Sequence, residues 1–395
     1  MKKQSIDSIS ARPKPWYDPR IRALFFQVVT LGVVFWAGWV LIDNTLSNMQ
    51  SRGISTGFGF LDETAGFGII MHLVPFDATM SYGRTFWVGL TNTLLVSAMG
   101  VVAATIIGFL VGVARLSSNW LVAKIALVYI EVIRNIPLLL QIFFWYFAVL
   151  ASLPAPRQSV EVGGAFFLNN RGLYLPGPVT QDGFGLVWGA LLVAIAAVFG
   201  LRSWTKKRQK ASGQLFPTVK VSIAILVLLP LIAFFLAGQP LEWDLPALKG
   251  FNFGGGISLI PELAALWVAL SLYTASFIAE IVRSGILAVS KGQTEASKAL
   301  GLPNGLTLRL IIIPQAMRVI IPPLTSQYLN LVKNSSLATA IGYPDLVSVF
   351  MGTTLNQTGQ AVEVVAITMG VYLTISLLIS LLMNLYNRAV EIKER

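Results

Sequence analysis

The sequence contains no cysteine and a single histidine, His72. Disulfides and thiolate metal sites are therefore excluded, and one histidine cannot supply the histidine clusters that are common in zinc catalysis. The phosphate loop of nucleotide-hydrolysing proteins is also absent, because the chain has no Gly-Lys pair, and no glycine-rich dinucleotide fingerprint opens a soluble βαβ unit. We therefore expect no enzymatic activity, no metal and no cofactor bound by this chain.

Charged residues are scarce. They make up 12% of the 395 residues, whereas a soluble domain carries about 25%. Hydrophobic residues make up 55%, and the mean hydropathy is +0.71. This composition predicts an all-α polytopic membrane protein. The net charge of +11 could suggest nucleic-acid binding, but the charges fall between hydrophobic segments, so a topological role is preferred and no nucleic-acid partner is expected.

Hydrophobic runs long enough for a membrane helix, about 20 residues, predict about eight spans. They cover residues 24–42, 86–115, 122–151, 184–201, 219–238, 258–283, 311–332 and 363–387. The seventh is the weakest, because Pro314, Arg318 and two further prolines interrupt it and have to be buried in protein or lie along water. The third contains Glu131, Arg134 and Pro137, so its first part is expected at the membrane interface.

Lysines and arginines are distributed unevenly among the loops. With the N-terminus inside, the cytoplasmic segments hold Lys2, Lys3, Arg12, Lys14, Arg20, Arg22, Arg115, Arg202, Lys206, Lys207, Arg208, Lys210, Lys291, Lys298, Arg309, Arg388, Lys393 and Arg395. The outer segments hold only Arg52, Arg84, Arg157, Arg171, Lys249 and Lys333. This asymmetry follows the positive-inside rule and predicts cytoplasmic N- and C-termini. The N-terminus shows no obvious cleavage site, so we interpret it as a retained arm rather than a signal peptide.

The middle of the chain, 152–257, differs from both flanks. It contains a Gly/Pro-rich outer loop, two plain apolar spans and a group of cations from Arg202 to Lys210. We interpret it as an insertion in a functional core. Its cations are consistent either with a contact to anionic membrane lipid or with a simple orientation signal.

The flanks carry the unusual polar residues. Glu131-x-x-Arg134 and Glu280-x-x-Arg283 share a spacing that lets opposite charges neutralise each other on one helix face. Charge inside a membrane is costly, so such pairs mark either a transport pathway or an internal lock. Asn334, in a polar stretch near the outer end of the presumed core, could meet a polar solute or serve as a helix cap.

A segment of soluble character, 290–314, interrupts the hydrophobic second half. Ser290 and Gln293 have the spacing of a capping box, and Gly301 suits a helix C-terminus, so a short helix is predicted over about 291–300. The charge topology places this helix in the cytoplasm. The chain has a cytoplasmic docking helix but no phosphate loop. This combination indicates that the ATPase that supplies the energy is a separate protein.

Within this segment the sequence reads Glu295-Ala296-Ser297, three residues, Gly301, nine residues, Ile311-x-Ile313-Pro314. It resembles the coupling loop of binding-protein-dependent ABC importer permeases, whose pattern is Glu-Ala-Ala, three residues, Gly, nine residues, Ile-x-Leu-Pro. Ser297 and Ile313 depart from that pattern but keep small or aliphatic character. Further segments are similar to the polar amino acid branch of these permeases; they are 89–94, 129–141, 273–285, 292–293 and 333–337.

The resemblance covers about 86–150 and 258–392. It implies a type I permease core of five spans, those starting near 86, 122, 258, 311 and 363. The chain then divides into 1–85 (arm, extra span and periplasmic loop), 86–151 (first core part), 152–257 (insertion) and 258–395 (second core part with the coupling loop). The extra span and the insertion resemble the larger permease of general L-amino acid importers of Gram-negative bacteria, which pairs with a second, different permease.

The resemblance also implies the partners and the transport cycle. A periplasmic amino-acid-binding protein would deliver the substrate to the inner membrane, and two ATPase subunits holding ATP and Mg would close and drive the permeases through their docking helices. The docking residues would be Glu295, Ala296, Ser297, Gly301 and Pro314. A zwitterion needs both a cation and an acceptor. Chemistry therefore makes Glu131, Arg134, Ser276, Glu280, Arg283 and Asn334 candidates for the substrate pathway, and the resemblance adds Tyr273 and Gln141.

Alternatives remain open at this point. An ion-coupled secondary transporter would explain the spans and the charges, but it gives no role to 290–314. A membrane scaffold or channel subunit would explain a docking surface and predicts no dependence on ATP. A permease of the same kind could also carry another small polar solute, and the permease could lack a substrate site of its own.

Overall fold

The computed structural model describes residues 16, 18–51, 53 and 56–390. Several cations used in the topology prediction, Lys2, Lys3, Arg12, Lys14, Arg52, Lys393 and Arg395, lie outside the described residues. The helices are α1 Pro19–Ser51, α2 Tyr82–Ala114, α3 Trp120–Asn135, α4 Leu138–Phe143, α5 Phe184–Ser212, α6 Thr218–Leu236, α7 Pro261–Leu287, α8 Lys291–Ala299, α9 Asn304–Thr307, α10 Ile313–Asn334, α11 Leu355–Thr358 and α12 Ala361–Val390. Turns of π-helix at Phe144–Leu150, Leu308–Ile312 and Val347–Thr354 extend α4, join α9 to α10 and lead into α11.

Seven helices of the described chain are long and apolar enough to cross a membrane. The pair of α3 and α4 with its π extension forms an eighth candidate, which bends by 105°. The predictions of an all-α membrane protein and of about eight spans are confirmed. The bend falls at Ile136-Pro137, where Ile136 is extended, because a proline disfavours the helical conformation of the residue before it.

The core is built around the contact between α2 and α7. Gly108 and Gly112 of α2 face α7 so closely that a Cβ on Gly108 would lie 2.6 Å from the Ile278 Cβ, and one on Gly112 would lie 2.7 Å from the Ala279 carbonyl oxygen. Small residues four apart let two membrane helices approach to backbone contact, where van der Waals packing stabilises the pair. The cluster of Ala104, Ala275, Ile278, Ile320 and further residues continues this contact to α10.

A polar network connects the N-terminal half of α2 to the turn before Val347. The Asn92 amide donates to the carbonyl oxygens of Met71 and Pro344, both at 2.9 Å, and the Tyr343 hydroxyl donates to the Asn92 carbonyl oxygen at 3.0 Å. The Leu346 amide donates to the Thr93 hydroxyl at 2.9 Å. Asn92 and Thr93 are buried, so these bonds satisfy polar groups that could not reach water.

Eight short strands, which the sequence analysis did not predict, lie together at one end of the helices. They are β1 Val160–Val162, β2 Phe166–Asn169, β3 Gly172–Leu175, β4 Gly177–Thr180, β5 Leu241–Asp244, β6 Ala247–Lys249, β7 Asn252–Gly254 and β8 Ile257–Leu259. They form antiparallel sheets of order β1-β2-β3-β8, β4-β5 and β6-β7. Two of these sheets join residues from either side of the α5–α6 hairpin. We call the eight strands the outer cap, after the side of the membrane on which the charge topology predicts them.

The outer cap sets the direction of the helices. Strand β4 is followed by α5, and β8 is followed by α7, so both helices run away from the cap. The coupling segment 290–314 therefore lies on the opposite face of the molecule from the cap, as does the C-terminal end of α5. The apolar stretch of α1 is fully exposed, and α5 and α6 pack mainly against each other.

Candidate functional site

The coupling segment contains a complete helix C-terminal motif. Helix α8 ends at Ala299, and Gly301 is in the left-handed region at φ +71°. The Gly301 amide donates to the Lys298 carbonyl oxygen at 2.9 Å, and the Leu302 amide donates to that of Ser297 at 3.1 Å. These two bonds define a Schellman motif, in which glycine avoids the steric cost of a Cβ. The predicted helix and its stop at Gly301 are confirmed.

The predicted capping box is absent. Ser290 is the N-cap residue of α8, but its side chain makes no capping hydrogen bond. The Gln293 side chain instead accepts a hydrogen bond from the Gln315 amide at 3.2 Å. The prediction was wrong because Gln315 of α10, which is distant in sequence, forms a hydrogen bond with the side chain that the local pattern assigned to the cap.

Ser297 does not belong to the exposed face of α8. The residue is 1% exposed, and its hydroxyl donates to the Thr294 carbonyl oxygen at 2.8 Å and accepts from the Thr307 hydroxyl at 3.0 Å. Thr307 is itself buried at the end of α9. The serine that replaces the alanine of the family pattern therefore binds α8 to the turn that precedes α10.

The exposed face of α8 combines charge with small and apolar groups. Glu295 and Ala296, two of the residues predicted to dock a partner, are exposed, and so is Ala299. Leu300 is 79% exposed although it lies outside the candidate membrane spans, and the sequence analysis did not single it out. Pro314 lies in the first turn of α10 and is half-buried, so it shapes the exit from the segment rather than its exposed face.

The two Glu-x-x-Arg sequences differ in structure. Arg283 makes a bidentate pair with Glu280, with the shortest N to O distance 2.6 Å. This is the one salt bridge within the described residues. Glu131 and Arg134 do not pair, so that prediction was wrong. The Arg134 guanidinium instead crosses to α7, where it lies 5.0 Å from the centroid of the Phe277 ring.

Arg134 and Glu280 meet in an open cleft of 330 Å³ between α3, α7 and α10. The remaining lining residues are Phe277, Ile281, Ser284, Gly285, Val319, Pro323 and Gln327. Glu280 is seven residues before the end of α7, which places it about 10 Å from the coupling-segment side. The cleft therefore opens inside a membrane span, near the coupling segment.

The cleft carries an excess of positive charge. Glu280 pairs with Arg283, and among the described residues Arg134 forms no salt bridge, although it lies close enough to Glu280 to interact with that carboxylate electrostatically. Burying an unpaired charge in hydrocarbon is costly, so Arg134 has to face water, a solute or another protein. Phe277 provides a cation–π contact but no hydrogen-bond acceptor.

Other predicted pathway residues lie outside the cleft. The Gln141 amide is buried and donates to the Ile133 and Ile136 carbonyl oxygens, both at 2.9 Å, so it braces the bend between α3 and α4. Ser276 is buried and donates to the Tyr273 carbonyl oxygen at 2.6 Å. The Tyr273 ring packs against that of Phe277, 5.0 Å between centroids. Asn334 ends α10, far along the helix from Val319, and Glu131 is exposed on α3.

Sequence reasoning missed Ser284, Phe277 and Gln327. Ser284 follows Glu280 by four residues, which places both on one face of α7, and this spacing was available from the sequence. Gln327 could be assigned only from the packing of α10 against α7. Within the described residues, no group of three or more His, Asp or Glu side chains could hold a metal ion.

Comparison with known proteins shows extensive similarity. A family described as "Binding-protein-dependent transport system inner membrane component" matches residues 196–392. The chain is 58% identical to the putative amino-acid ABC transporter permease protein YhdX of Escherichia coli K12, with 96% of each chain covered. It is 52% identical to the general L-amino acid transport system permease protein AapQ of Rhizobium johnstonii, covering 96% of this chain and 94% of that one. It is 43% identical to the glutamate/glutamine/aspartate/asparagine transport system permease protein BztB of Rhodobacter capsulatus, with 96% of each covered.

Proposed function

Because this chain belongs to the family of inner membrane components of binding-protein-dependent transport systems, and is an amino-acid ABC transporter permease, we propose that it imports L-amino acids in a complex whose ATPase subunits are separate chains. ATP and Mg are bound by those subunits, a periplasmic amino-acid-binding protein delivers the substrate, and both termini lie in the cytoplasm. The coupling segment is the single feature that carries this proposal. It presents Glu295 and Ala296 on α8 and the exposed Leu300 at the C-cap of that helix, and short turns connect α8 to α7 on one side and, through α9, to α10 on the other.

A second permease subunit is part of the proposal. The exposed residues of α10 lie on one helix face and include Ser326, Asn330 and Lys333. Polar groups in a span cannot face lipid without a large free-energy cost, so this face requires water or another protein. The apolar, unpacked faces of α1, α5 and α6 can remain against lipid. We assign the polar face of α10 to the interface and pathway between two permeases.

The Arg134 cleft is proposed as part of the substrate pathway. Every α-amino acid carries a carboxylate, and the Arg134 guanidinium, which forms no salt bridge within the described residues, supplies the complementary charge and paired donors. Glu280, held by Arg283, is an acceptor within the same cleft for the substrate ammonium group. The division into a core and the insertion 152–257 leaves this cleft entirely within the core.

Reconstitution tests the proposed energy coupling. We expect proteoliposomes to take up L-amino acids only when the ATPase subunits and ATP are present. Gly301→Asp places a charged side chain at the corner of the docking element and should abolish most of the substrate-stimulated ATP hydrolysis. Gly250→Asp is the matched control, since Gly250 also has a positive φ and open space around it but lies between β6 and β7. Uptake by this chain without an ATPase would instead establish an ion-coupled transporter, and full coupling in Gly301→Asp would remove the docking role.

The role of Arg134 is tested by transport kinetics. Arg134→Gln should raise the KM for uptake by about tenfold or more, because a charged hydrogen bond contributes about 1.5–3 kcal/mol. Basal ATP hydrolysis should be retained, since the coupling segment is untouched. Lys124→Gln removes a charge from the same helix outside the cleft and should leave KM unchanged. An unchanged KM in Arg134→Gln would exclude this side chain from the pathway while leaving the ATP coupling intact.

A further inference from the structure

Helix α5 is longer than a membrane span. It has 29 residues, which at about 1.5 Å per residue extend about 43 Å. The hydrocarbon core of a bilayer is about 30 Å thick, and about 40–45 Å with the headgroups. Because α5 begins at Phe184, next to the outer cap, its last three turns lie in the headgroup layer on the side of the coupling segment. We call residues 202–212 the basic end of α5.

The basic end of α5 has only positive charge. Its cations are Arg202, Lys206, Lys207, Arg208 and Lys210, all of them exposed. Lys220, in the first turn of α6, adds a sixth, and no Asp or Glu occurs anywhere from 183 to 241. Within the described chain none of these cations forms a salt bridge. The hairpin therefore presents uncompensated positive charge at the level of lipid phosphates.

Aromatic residues order this end of the hairpin. Gly213, at φ +66°, reverses the chain after α5 so that Phe216 returns against Trp204, with 5.5 Å between ring centroids. The Arg208 guanidinium lies over both rings, 5.3 Å and 5.9 Å from their centroids, and donates to the Gln214 side-chain oxygen at 3.2 Å. Leu215 beside them is 85% exposed. Aromatic and apolar groups at the interface, with cations above them, match the layers of a lipid surface.

We propose that the basic end of α5 binds the headgroups of anionic phospholipids and thereby fixes the insertion in the bilayer. A simple orientation signal requires only several cations near a span. In this structure, in contrast, the Arg208 guanidinium is held over the Trp204 and Phe216 rings. The hairpin packs mainly against itself, so lipid surrounds it and is the partner that its charge and position fit. Assigning these lipids to the cytoplasmic leaflet rests on the proposed function, since that assignment follows the side of the coupling segment.

Native mass spectrometry of the purified full-length chain tests this proposal. The chain is equilibrated in detergent with equal amounts of phosphatidylglycerol and phosphatidylethanolamine, and the bound lipids are counted. The wild type should be enriched in phosphatidylglycerol, and Lys206→Gln/Lys207→Gln/Lys210→Gln should lose at least about fivefold of that enrichment, since each cation near a lipid surface contributes about a fivefold preference. The enrichment should also fall with ionic strength, because these charges are exposed to solvent.

Arg157→Gln/Arg171→Gln/Lys249→Gln is the matched control, because it removes the same charge from the outer cap. The control should keep the wild-type enrichment. Equal enrichment in the wild type and the α5 variant would overturn the proposal, and so would an equal loss in the control, which would show an effect of net charge alone. Loss of a co-purifying protein from the α5 variant with unchanged lipid enrichment would also overturn it, by showing that the patch binds an acidic protein. None of these outcomes depends on uptake or ATP hydrolysis, so they are independent of the proposed function.

Discussion

The Ser297 hydroxyl connects α8 to α9, the short helix that leads into α10. It accepts a hydrogen bond from Thr307 and donates one to Thr294, and both hydroxyl groups of the Ser297–Thr307 pair are buried. We therefore expect a movement imposed on α8 to reach α9 through this contact. This contact is buried within the segment. Ala299 and Leu300, which a partner can touch, are exposed on its surface.

The two partners of this hydrogen bond should respond unequally to mutation. In Ser297→Ala the buried Thr307 hydroxyl loses its acceptor, which should cost about 1–3 kcal/mol locally. In Thr307→Val the serine keeps its bond to Thr294, so the cost should be about 1 kcal/mol or less. Hydrogen exchange of the α8 amides measures this difference. The double variant should resemble Thr307→Val, and equal effects of the two single variants would contradict the hydrogen-bond account.

Residue-level predictions succeeded where the cause was local. Gly301 could be predicted as the end of α8, because a left-handed residue after a helix has a strong preference for glycine. The Gln293 cap and the Glu131–Arg134 pair could not be predicted correctly, since Gln315 and Phe277 belong to other helices. A spacing in sequence identifies residues that are able to interact, and tertiary packing decides which of them do.

At the scale of elements, the spans were predictable and their contacts were not. Each span is a long apolar run, and length alone identifies it. The strands of the outer cap are three or four residues long, and β3 pairs with β8 across more than 80 residues of chain, so neither periodicity nor turn spacing indicated them. The Gly108-x-x-x-Gly112 spacing was visible in the sequence, but only the structure identifies α7 as its partner.

The close contact of α2 and α7 predicts that alanine destabilises the protein at Gly112 but not at Gly189. Gly112→Ala places a Cβ 2.7 Å from the Ala279 carbonyl oxygen, so the helices have to separate, and overpacking of this kind costs about 1–3 kcal/mol. Gly189→Ala in α5 meets nothing within 4 Å and should be neutral or slightly stabilising, because alanine has the higher helix propensity. The midpoint of heat-induced aggregation in detergent, measured for both variants, checks this. A similar midpoint for both would mean that α2 and α7 adjust without cost.

At the scale of the whole molecule, the outer cap and the parallel course of α2 and α7 show at which face of the molecule each span begins and ends. Leu95 and Met99 of α2 lie in one pocket with Leu259 and Leu263, beside the cap, whereas Gly112 contacts Val282 near the coupling segment. Helix α3 therefore starts on the coupling side, and α4 with its π extension ends on the cap side, where Pro156–Gln158 precedes β1. Despite its bend of 105°, we therefore expect the α3–α4 pair to cross the membrane rather than return to the side it left.

The absence of native cysteine makes this crossing directly measurable, because an introduced cysteine is the only thiol in the chain. Ser118 and Gln158 are exposed residues at the two ends of the bent span. In intact cells with a permeable outer membrane, a membrane-impermeant maleimide should label Gln158→Cys and should leave Ser118→Cys unlabelled. Both variants should label fully after the inner membrane is permeabilised, which controls for thiol reactivity. Labelling of both residues from the same side would show that the pair is re-entrant, and with one fewer crossing the two termini could no longer share the cytoplasm.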